Sequence, residues 1–468
     1  MFRQSLLLLG LTILLKGLAP PVAHAATLAN YRGGDTPVLT RTPYDYVPSV
    51  MKDGVYRMWW CGGVAGDYIL YAEANSLSGP WHARGSTTAN SYDVVFRPTG
   101  NSAQFDGAHT CDPSVIRVDG TYYMYYGGYG DGTGTTMIGV ASSPDGLNWT
   151  RLNGGNPILT PARDYRTVSN PYGAGQPSVT YVNGKFHLIY TDTTGYGVDA
   201  NGGGQFVLRS ADPTFQSGVE ELTASGFAPM TSANHTRHSL LAAFSVDWQY
   251  IDTNDTFAVA MSSGNHNSFT VLLYNNTLNG LVDRFDLAGS WTEGTSIVSR
   301  PDKHAIPTST CGTVPIDILR SVGTPGQPGT WDLAHVGVDL LTGRTCDQIP
   351  VGRVYEGYLL GTPGLPMMLV RDGLRLQFAL AAPAADLSRN SISVSSDIYH
   401  RIPYGASLFS GNTVYVATGR PGAFLMDDGR LWPVSCIEAV QHNNSVLTSI
   451  GTSQWDSYAR GPSLYCLK

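Results

Sequence analysis

The phrase Asp112-Pro113-Ser114-Val115-Ile116-Arg117-Val118-Asp119-Gly120-Thr121-Tyr122-Tyr123-Met124-Tyr125-Tyr126 decides the fold, because variants of it recur along the chain. An earlier variant occupies residues 47–60 and a later one occupies residues 176–190. The three prolines lie 65 and then 64 residues apart. Recurrence at a nearly fixed spacing is typical of repeat architectures, in which one supersecondary unit is copied several times.

The local chemistry of the phrase predicts a β-hairpin. A proline opens the first strand, where its missing N–H costs least, and Asp-Gly or Asn-Gly then forms a tight turn because both residues tolerate positive φ. The second strand is rich in aromatic residues, which favour strands. Further strands, such as residues 68–72 and 137–141, fill each period. About four strands per unit is the content of a propeller blade.

Two degenerate units continue the series. One begins at Ser245-Val246-Asp247-Trp248, and the other at residues 314–319, followed by a second strand at residues 333–338. We therefore predict an all-β fold with a five-bladed β-propeller over residues 27–362. A two-sheet sandwich with the same number of strands is the alternative.

A second repeat follows the propeller, after the Gly/Pro-rich residues 361–364. Seven residues recur at an offset of 56 without a gap: Leu369, Asp372, Gly373, Ser393, Gly405, Ser407 and Leu408 return as Leu425, Asp428, Gly429, Ser449, Gly461, Ser463 and Leu464. We expect residues 366–468 to form a small C-terminal domain of two tandem modules. Such a pair either holds a polysaccharide or cell surface, by analogy with other secreted enzymes, or packs as an appendage.

Residues 1–25 have the pattern of an export signal. A basic start at Arg3 precedes an apolar run, and Ala23-His24-Ala25 offers small residues for cleavage. Lys16 interrupts the apolar run before it reaches membrane-spanning length, so a retained anchor is the weaker interpretation. We expect a secreted or periplasmic protein with no membrane contact after cleavage. The net charge of −7 offers no basic stripe for a nucleic-acid partner.

Six cysteines follow the export signal, and an even number in an exported chain favours disulfides. The repeats favour neighbours as partners: Cys61 with Cys111, Cys311 with Cys346, and Cys436 with Cys466. Zinc binding is the weaker interpretation, because no two cysteines have the close spacing of a zinc site.

The blades of a propeller converge on a central axis. The residue before each Pro-Ser-Val is therefore expected to face one shared pocket at the end where the innermost strands begin. Those residues are Val47, Asp112 and Gln176, with Asp45 two positions before Val47.

The repeated phrase resembles the five-bladed propeller glycosidases. These include glycoside hydrolase family 43, with its arabinanases, arabinofuranosidases and xylosidases, and the fructosidases. Residues 66–74, which lead to Gly79-Pro80-Trp81, add to the likeness. The resemblance covers the first three blades well, the fourth and fifth poorly, and residues 366–468 not at all.

The resemblance to family 43 implies three carboxyl groups: a first-blade Asp as general base, a second-blade Asp that tunes the acid, and a third-blade Glu as general acid. Asp112 matches the second role directly, and Asp45 matches the first with a shift of two residues. The third position holds Gln176, which cannot donate and recover a proton. Three alternatives stay open: the acid lies on another blade, the family is a different one, or the site does not catalyse.

Asp247 is the first candidate for the acid. It begins the fourth innermost strand, and its neighbour Trp248 supplies apolar surroundings that raise a carboxyl pKa. Capping a turn is the structural alternative for Asp247. Asp317, Asp192 and Glu293 are the next candidates. Inverting hydrolysis needs two facing carboxyl groups about 6.5–9.5 Å apart.

Four further residues are predicted to contact the substrate: Gln176, His109, Trp248 and Tyr196. Trp59, Trp60 and Trp81 are candidates for stacking on sugars, although adjacent strand residues face opposite sides, so at least one of the first two belongs to the core. Scattered histidines are poor evidence for a metal site. We expect no cofactor and no metal, and leave open a structural ion in the channel, as some relatives hold.

The leading hypothesis is a secreted glycoside hydrolase that acts on furanose-containing polysaccharide, as an inverting endo-arabinanase. The alternative is a non-catalytic carbohydrate-binding propeller, and Gln176 is the residue that favours it. In both cases the partner is a polysaccharide or an oligosaccharide.

Overall fold

The computed structural model describes residues 27–41, 44–63, 66–230, 238–262, 266–323, 326 and 330–467. The predicted export signal, residues 1–25, lies outside the described residues. The described part is all-β, as predicted, with a few short helices. None of these helices has the length and apolar character that crossing a membrane requires.

Five antiparallel sheets account for residues 27–341. The chain begins with β1 (Thr27–Leu39), which belongs to the last of these sheets. The first sheet contains β2 (Asp45–Asp53), β3 (Val55–Gly63), β4 (Asp67–Ala74) and β5 (Asp93–Phe96); the second contains β6 (His109–Val118), β7 (Thr121–Tyr129), β8 (Thr136–Ser143) and β9 (Thr150–Arg151). The third contains β10 (Ala174–Val182), β11 (Lys185–Asp192), β12 (Gln205–Ser210), β13 (Glu220–Thr223) and β14 (Gly226–Pro229); the fourth contains β15 (Val246–Ile251), β16 (Thr256–Ser262), β17 (Ser268–Asn275) and β18 (Leu281–Ala288). The fifth contains β19 (Thr295–Ile297), β20 (Thr313–Gly323), β21 (Trp331–Leu341) and, outermost, β1. Short 3₁₀ turns occupy Asn153–Gly155, Tyr165–Thr167 and Cys346–Gln348.

A cyclic set of hydrogen bonds joins the innermost strands of the five sheets. The side chain that follows the proline position in one sheet accepts the backbone N–H of a residue in the next sheet. The pairs are Ser49 with Val115 (2.9 Å), Ser114 with Val179 (3.0 Å), Ser178 with Trp248 (3.4 Å), Asp247 with Ile297 (2.7 Å) and Ser296 with Val50 (3.0 Å). The last pair returns to the first sheet, so the sheets form a closed ring.

The apolar core is divided among the interfaces between neighbouring sheets, one cluster for each. Trp59 contributes to the cluster between the first and second sheets, and Trp60 to the cluster between the first and fifth. Both indoles are fully buried, as is that of Trp81. The three tryptophans therefore belong to the core and are not available to stack on sugars.

The fifth sheet differs from the sequence-based prediction. Its innermost strand is β19, whereas residues 314–319 lie in β20, the second strand. The innermost strand of the fifth sheet is hard to recognise in the sequence, because β19 has three residues and retains only Ser296 of the repeated phrase. Strand β1, which precedes the first sheet in the sequence, pairs antiparallel with β21, with Thr27 opposite Leu341. The fifth sheet therefore contains strands from both ends of the ring-forming segment.

A β-bulge precedes each Pro-Ser-Val. Val47, Asp112 and Gln176 have φ values of 44°, 51° and 46°, and the register of their strands shifts at these positions. Left-handed φ is uncommon for residues other than glycine and is strained for β-branched valine. Bulges of this kind re-aim side chains beside functional sites.

The C-terminal residues form two small sheets. The first module contains α1 (Val351–Val354), β22 (Tyr358–Gly361), β23 (Met368–Arg371), β24 (Leu374–Phe378), α2 (Ala381–Asp386), β25 (Asn390–Ser393), α3 (Ser396–Arg401) and β26 (Tyr404–Leu408). The second contains β27 (Val414–Val416), β28 (Ala423–Leu425), β29 (Leu431–Pro433), α4 (Ile437–His442), β30 (Leu447–Ser449) and α5 (Thr452–Ser457). Helices α2 and α4 differ by the predicted 56 residues, as do α3 and α5. Strand β22 also repeats as β27 and pairs with β23 and β25, so the first module begins before the boundary predicted at residues 362–366.

The segment 299–303 spans the channel on the side of the Asp-Gly hairpins. Its carbonyl groups accept N–H bonds from the innermost strands of four sheets, at Lys52, Arg117, Tyr181 and Tyr250. Arg300 then donates to the carbonyls of Arg353 (3.1 Å) and Val354 (2.8 Å), which connects this segment to the C-terminal domain. The channel is therefore closed on the hairpin side and open on the side where the strands begin.

Three disulfides confirm the predicted pairing: Cys61 with Cys111, Cys311 with Cys346, and Cys436 with Cys466. The first joins the first and second sheets, and the third closes the second module. The described residues contain no free cysteine.

Candidate active site

Two adjoining cavities open where the innermost strands begin. The larger, which we call the carboxylate pocket, has a volume of about 270 Å³ and is lined by Tyr46, Asp67, His109, Cys111, Asp112, Gly127, Gly128, Tyr129, Thr136, Tyr172, Gln176 and Glu293. The smaller, the aromatic pocket, has a volume of about 170 Å³ and is lined by Tyr44, Tyr46, Asp67, Glu293 and Trp331. Tyr46, Asp67 and Glu293 belong to both walls, so the two cavities meet at a pair of carboxyl groups.

The geometry of the sheets explains why three carboxyl groups converge here. Alternate strands of an antiparallel meander run in the same direction, so β4 begins at the same end as β2, and Asp67 is its first residue. Asp112 lies in the bulge that opens β6, and Glu293 lies two residues before β19. Each carboxyl group therefore sits at or just before the start of a strand, on the first, second and fifth sheets.

Asp112 is the most deeply placed of the three. Its side chain is buried and accepts a hydrogen bond from the Tyr172 hydroxyl at 3.0 Å. Burial, and secondarily the negative charge of Glu293, raises the pKa of Asp112 to about 7. The hydrogen bonds from Tyr172 and from the backbone N–H of Gln176 oppose this rise without cancelling it. Asp112 can therefore hold a proton near neutral pH.

Glu293 faces Asp112 from the fifth sheet. Its Oε1 accepts a hydrogen bond of 3.1 Å from Nε2 of Gln176. Burial raises the pKa of Glu293, and the nearby charge of Asp67 adds to the rise. Gln176 thus lies in the pocket, as predicted, and contacts a carboxyl group that the fifth sheet supplies.

Asp67 is the half-buried carboxyl group that the first sheet supplies to the pocket. The Tyr44 hydroxyl donates to its Oδ1, and Nδ1 of His109 lies 3.0 Å from its Oδ2. His109 packs edge-on against Tyr129 and lines the pocket. Hydrogen-bond partners at both oxygens hold the Asp67 carboxyl group in a fixed orientation at the wall of the pocket.

Asp45, predicted as the general base, does not line either cavity. It is fully buried, and its Oδ1 accepts hydrogen bonds from Arg41 (2.9 Å) and from the indole of Trp60 (2.7 Å). Burial raises the pKa of Asp45 to about 6, against the opposing charge of Arg41. Its neighbour Tyr46 lines both pockets, and successive residues of a strand point to opposite faces, so the Asp45 side chain lies on the other face of β2.

Asp247, predicted as the general acid, belongs to the ring of innermost strands. Both of its oxygens contact Nζ of Lys303, at 2.6 and 2.7 Å, and Ser178 donates to it as well. It occupies the position that serine holds in the other sheets, where the side chain accepts a backbone N–H. The geometry therefore assigns Asp247 to an ion pair between the sheets and segment 299–303.

The remaining sequence candidates lie apart from the two pockets. Trp248 is fully buried and stacks on Phe257, so it cannot contact a substrate. Tyr196 is 44% exposed and lies beneath the guanidinium of Arg163, outside the lining of both cavities. Asp317 forms an ion pair with Arg32 and His335, and Asp192 accepts backbone N–H groups of Ala162 and Thr194.

The scattered histidines each have a neighbour of their own. His304 contacts Asp252, His335 contacts Asp317, and His266 stacks on Trp291. Within the described residues, two groups bring three ligand-type atoms together, and in each of them two of the atoms are the sulfurs of a disulfide. On the channel axis, the ammonium group of Lys303 supplies the positive charge beside Asp247.

Sequence reasoning missed Asp67, Tyr44, Tyr172 and Trp331 as pocket residues. Asp67 carried a detectable signal, because the start of the third strand of each blade shares an end with the start of the first. Trp331 begins β21, the third strand of the fifth sheet, and carried the same signal, whereas Tyr44 and Tyr172 precede strands and carried none.

Comparison with known proteins supports the glycosidase resemblance. No family model matches the chain. Over 142 residues the chain is 30% identical to a probable arabinan endo-1,5-alpha-L-arabinosidase A of Aspergillus niger, a match that covers 30% of this chain and 38% of that protein. Over 120 residues it is 34% identical to a probable arabinan endo-1,5-alpha-L-arabinosidase C of Aspergillus fumigatus, covering 25% of this chain and 33% of that protein.

The chain resembles the propeller glycosidases. This confirms the inference drawn from the repeated phrase. The chain spans well under half the length of the curated relatives it matches. Similar solved structures include a family 117 glycoside hydrolase of Zobellia galactanivorans, with 13% identity and a TM-score of 0.44 over 68% of this chain and 91% of that one. Another is an alpha-L-arabinofuranosidase of Podospora anserina, with 10% identity and a TM-score of 0.42 over 68% of this chain and 99% of that one.

Proposed function

We propose that this chain is a secreted glycoside hydrolase that cleaves arabinan internally, with inversion, using the carboxyl groups of the carboxylate pocket. Asp67 is the general base that activates water, Asp112 is the general acid, and Glu293 keeps the acid protonated. The observation that carries the proposal is the convergence of three carboxyl groups on one cavity, with the pKa of the most buried one raised to about 7.

The electrostatics favour this division of roles. A general acid must be protonated at the working pH, and burial together with the negative charge of Glu293 raises the pKa of Asp112 to about 7. Asp67 has hydrogen-bond partners at both oxygens, the Tyr44 hydroxyl and Nδ1 of His109, which orient its carboxyl group in the wall that both pockets share. In the single displacement, Asp67 takes a proton from water as the water oxygen bonds to the anomeric carbon, while the glycosidic bond breaks and Asp112 gives its proton to the departing oxygen.

The paired cavities favour internal cleavage. The carboxylate pocket and the aromatic pocket meet at Asp67 and Glu293, so a sugar on each side places the linkage between them at the carboxyl groups. Trp331 and Tyr44 give the smaller cavity an aromatic wall, which suits the apolar face of a sugar ring. A site with one closed end suits removal of a terminal residue instead.

The proposal also covers the number of blades and the organisation of the C-terminal residues. We take the five sheets to be five blades of one propeller, followed by two tandem C-terminal modules. The three disulfides suit an oxidising compartment, which is consistent with export. The substrate class rests on the endo-arabinanase relatives, over the residues that they share with this chain.

The test is hydrolysis of linear 1,5-arabinan by the purified chain, with chromatography of the released sugars. We expect oligosaccharides of several lengths to appear first, and NMR of the earliest product to show the inverted anomer. Asp67→Asn and Asp112→Asn should each lower kcat by about 10²–10⁴-fold. Asp131→Asn, at an exposed position of the second sheet's loop, is the matched control and should keep wild-type kcat.

The two roles can be separated with small probes. An aryl arabinoside whose leaving group needs no proton should restore much of the rate of Asp112→Asn but not that of Asp67→Asn. Azide should rescue Asp67→Asn by replacing water as the nucleophile, with an arabinosyl azide as product. The opposite pattern would exchange the roles, and binding of arabinan with no release of sugar from any substrate would favour the carbohydrate-binding alternative.

A further inference from the structure

The Tyr172 hydroxyl group donates a hydrogen bond to Oδ2 of Asp112, at a distance of 3.0 Å. Tyr172 belongs to the turn that leads into β10 of the third sheet, whereas Asp112 lies in the bulge that opens the second sheet. The hydrogen bond therefore joins two sheets at the mouth of the ring. Both residues line the carboxylate pocket, where Tyr172 is half-buried and Asp112 is buried.

Two glycines leave the space that these two side chains occupy. A methyl group on Gly175 would lie 2.2 Å from the hydroxyl oxygen of Tyr172, and one on Gly127 would lie 3.0 Å from Oδ2 of Asp112. The first distance is too short for any side chain to fit while Tyr172 keeps its place. Both glycines lie within strands, β10 and β7, where glycine often marks the close approach of another group.

The turn before β10 is itself fixed by hydrogen bonds and packing. The carbonyl group of Tyr172 accepts from the N–H of Thr136 at 2.7 Å, and the N–H of Tyr172 donates to Oδ1 of Asn170 at 3.1 Å. The ring of Tyr172 packs edge-on against Phe244, with 5.0 Å between the ring centroids. The hydroxyl group is therefore held in one place relative to the carboxyl group that it contacts.

Opposing influences act on the charge of Asp112. Glu293 and Asp67 bring negative charge from the fifth and first sheets, which favours the protonated carboxyl group. Tyr172 and the backbone N–H of Gln176 donate hydrogen bonds, which favour the charged form. Burial, and after it the negative charge of Asp112, raises the pKa of Tyr172 well above its usual value, so its hydroxyl group keeps the proton that it donates.

Two further titratable side chains line the pocket, and each contacts a different group. The Tyr46 hydroxyl group lies 2.8 Å from Sγ of Cys111, and Nδ1 of His109 lies 3.0 Å from Oδ2 of Asp67. Burial, and after it the nearby carboxyl groups, raises the pKa of Tyr46. Both side chains are unchanged in the variants below, so their influence cancels when a variant is compared with the parent chain.

We propose that Tyr172 is a positioning residue, which orients the Asp112 carboxyl group and sets the upper limit of the pH range in which Asp112 delivers its proton. The inference rests on the proposed function, because it takes Asp112 as the general acid. Tyr172 acts through Asp112, and no bond of the substrate forms or breaks at its hydroxyl group.

The first test is the pH dependence of arabinan hydrolysis by Tyr172→Phe. Loss of the donor makes the charged form of Asp112 less stable, so the basic limb of kcat/KM should move up by about one pH unit. At pH 5 kcat should be about tenfold lower than in the parent chain, because the carboxyl group is no longer oriented. The ratio of the two kcat/KM values should then rise about tenfold between pH 5 and pH 9.

The direction of the change separates positioning from general damage. A pocket that had opened to water would bury Asp112 less and show the limb at lower pH. The matched control is Tyr126→Phe, which removes another buried hydroxyl group, one that donates to Asp106 at 3.0 Å. Asp106 keeps its hydrogen bond to Arg151 at 2.6 Å, so this variant should show the limb at the pH of the parent chain.

An infrared titration separates this inference from the proposed reaction. The carboxyl band of Asp112, identified by its loss in Asp112→Asn, reports protonation whether or not arabinan is hydrolysed. Its midpoint should lie near pH 7 in the parent chain and about one pH unit higher in Tyr172→Phe. If the midpoint rises but no chain releases sugar, or the limb stays in place, the proposed role of Asp112 fails and its coupling to Tyr172 stands. A midpoint that stays at the parent value or falls overturns the role of Tyr172.

Discussion

Gln176 and Glu293 meet across the mouth of the ring, with Nε2 of the amide 3.1 Å from Oε1 of the carboxyl group. They come from the third and fifth sheets, which are not neighbours, so the hydrogen bond spans the axis. The amide donates without titrating, and it therefore holds Glu293 in place at any pH. This arrangement gives the glutamine a positioning role in a site where it cannot itself transfer a proton.

The raised pKa of Asp112 predicts the basic limb of the activity profile. If Asp112 delivers the proton, kcat/KM should fall as pH rises through about 7, because the acid is then ionised. The measurement is the pH dependence of arabinan hydrolysis. Glu293→Gln removes the neighbouring negative charge, so the surviving activity should show this limb at a lower pH. If kcat/KM of Glu293→Gln falls at the same pH as that of the parent chain, the charge of Glu293 does not raise the pKa of Asp112.

The same carboxyl group also makes stability depend on pH. Its pKa is about 7 in the folded chain and about 3.9 when unfolded, so between these values the folded state holds a proton that the unfolded state has released. Folding stability from this group therefore decreases as pH rises from about 4 to about 7. Asp112→Asn should raise Tm at pH 7 and have little effect at pH 4, by thermal unfolding at both values. Asp131→Asn serves again as the control and should change neither.

The pair of Asp247 and Lys303 predicts a defect of stability. Lys303→Met leaves a buried carboxylate without its cation and should lower the free energy of unfolding by about 3–5 kcal/mol. The double substitution Asp247→Ser with Lys303→Met installs the serine that the other sheets carry, and it should recover most of that loss. Denaturant unfolding of the two variants measures this. A double variant as unstable as Lys303→Met alone would show that the serine cannot replace the aspartate in this ring.

The disulfides predict two different outcomes of removal. In the chain-entropy model, loss of the Cys61–Cys111 bridge, with a separation of 50 residues, costs about 4 kcal/mol, and loss of Cys436–Cys466, with 30, costs slightly less. Cys111 precedes Asp112 and lines the pocket, so Cys61→Ser with Cys111→Ser should lower kcat as well as Tm. Cys436→Ser with Cys466→Ser should lower Tm alone. Equal effects on kcat would mean that the first bridge does not position Asp112.

The aromatic pocket predicts a contribution to substrate affinity. Trp331→Ala removes its wall, so KM for arabinopentaose should rise by about tenfold while Tm stays near that of the parent chain. Trp331→Phe should restore most of the affinity. Tyr31→Ala, at an exposed tyrosine of β1, is the control and should leave both parameters unchanged. A large fall in Tm would place Trp331 in the folding of the ring instead.

The sequence was most informative where a residue serves the repeat itself. The prolines, the Asp-Gly turns and the serines recur because every sheet needs the same bulge, the same hairpin and the same hydrogen bond to its neighbour. Asp112 and Gln176 could be predicted as pocket residues for the same reason, since the bulge fixes where they lie. The disulfide partners followed from the spacing of the sheets.

The sequence was least informative where a residue serves only the assembled ring. Glu293 precedes a strand of three residues that carries little of the repeated phrase, and Asp247 resembles a catalytic carboxylate because Lys303, its partner, lies 56 residues away. Trp248 looked available for substrate because its burial depends on the third sheet. Such positions are determined by contacts between distant segments, which a local pattern does not record.

The pairing of β1 with β21 joins residues about 300 positions apart and has a consequence for biosynthesis. While the chain emerges from the ribosome or crosses a membrane, β1 has no partner strand until residues 331–341 arrive. Closing so long a loop is entropically expensive, and folding dominated by such distant contacts is slow. We therefore expect the edge of β1 to stay open to other chains until β21 has been synthesised, and a nascent molecule to rely on chaperones or on rapid export during that interval.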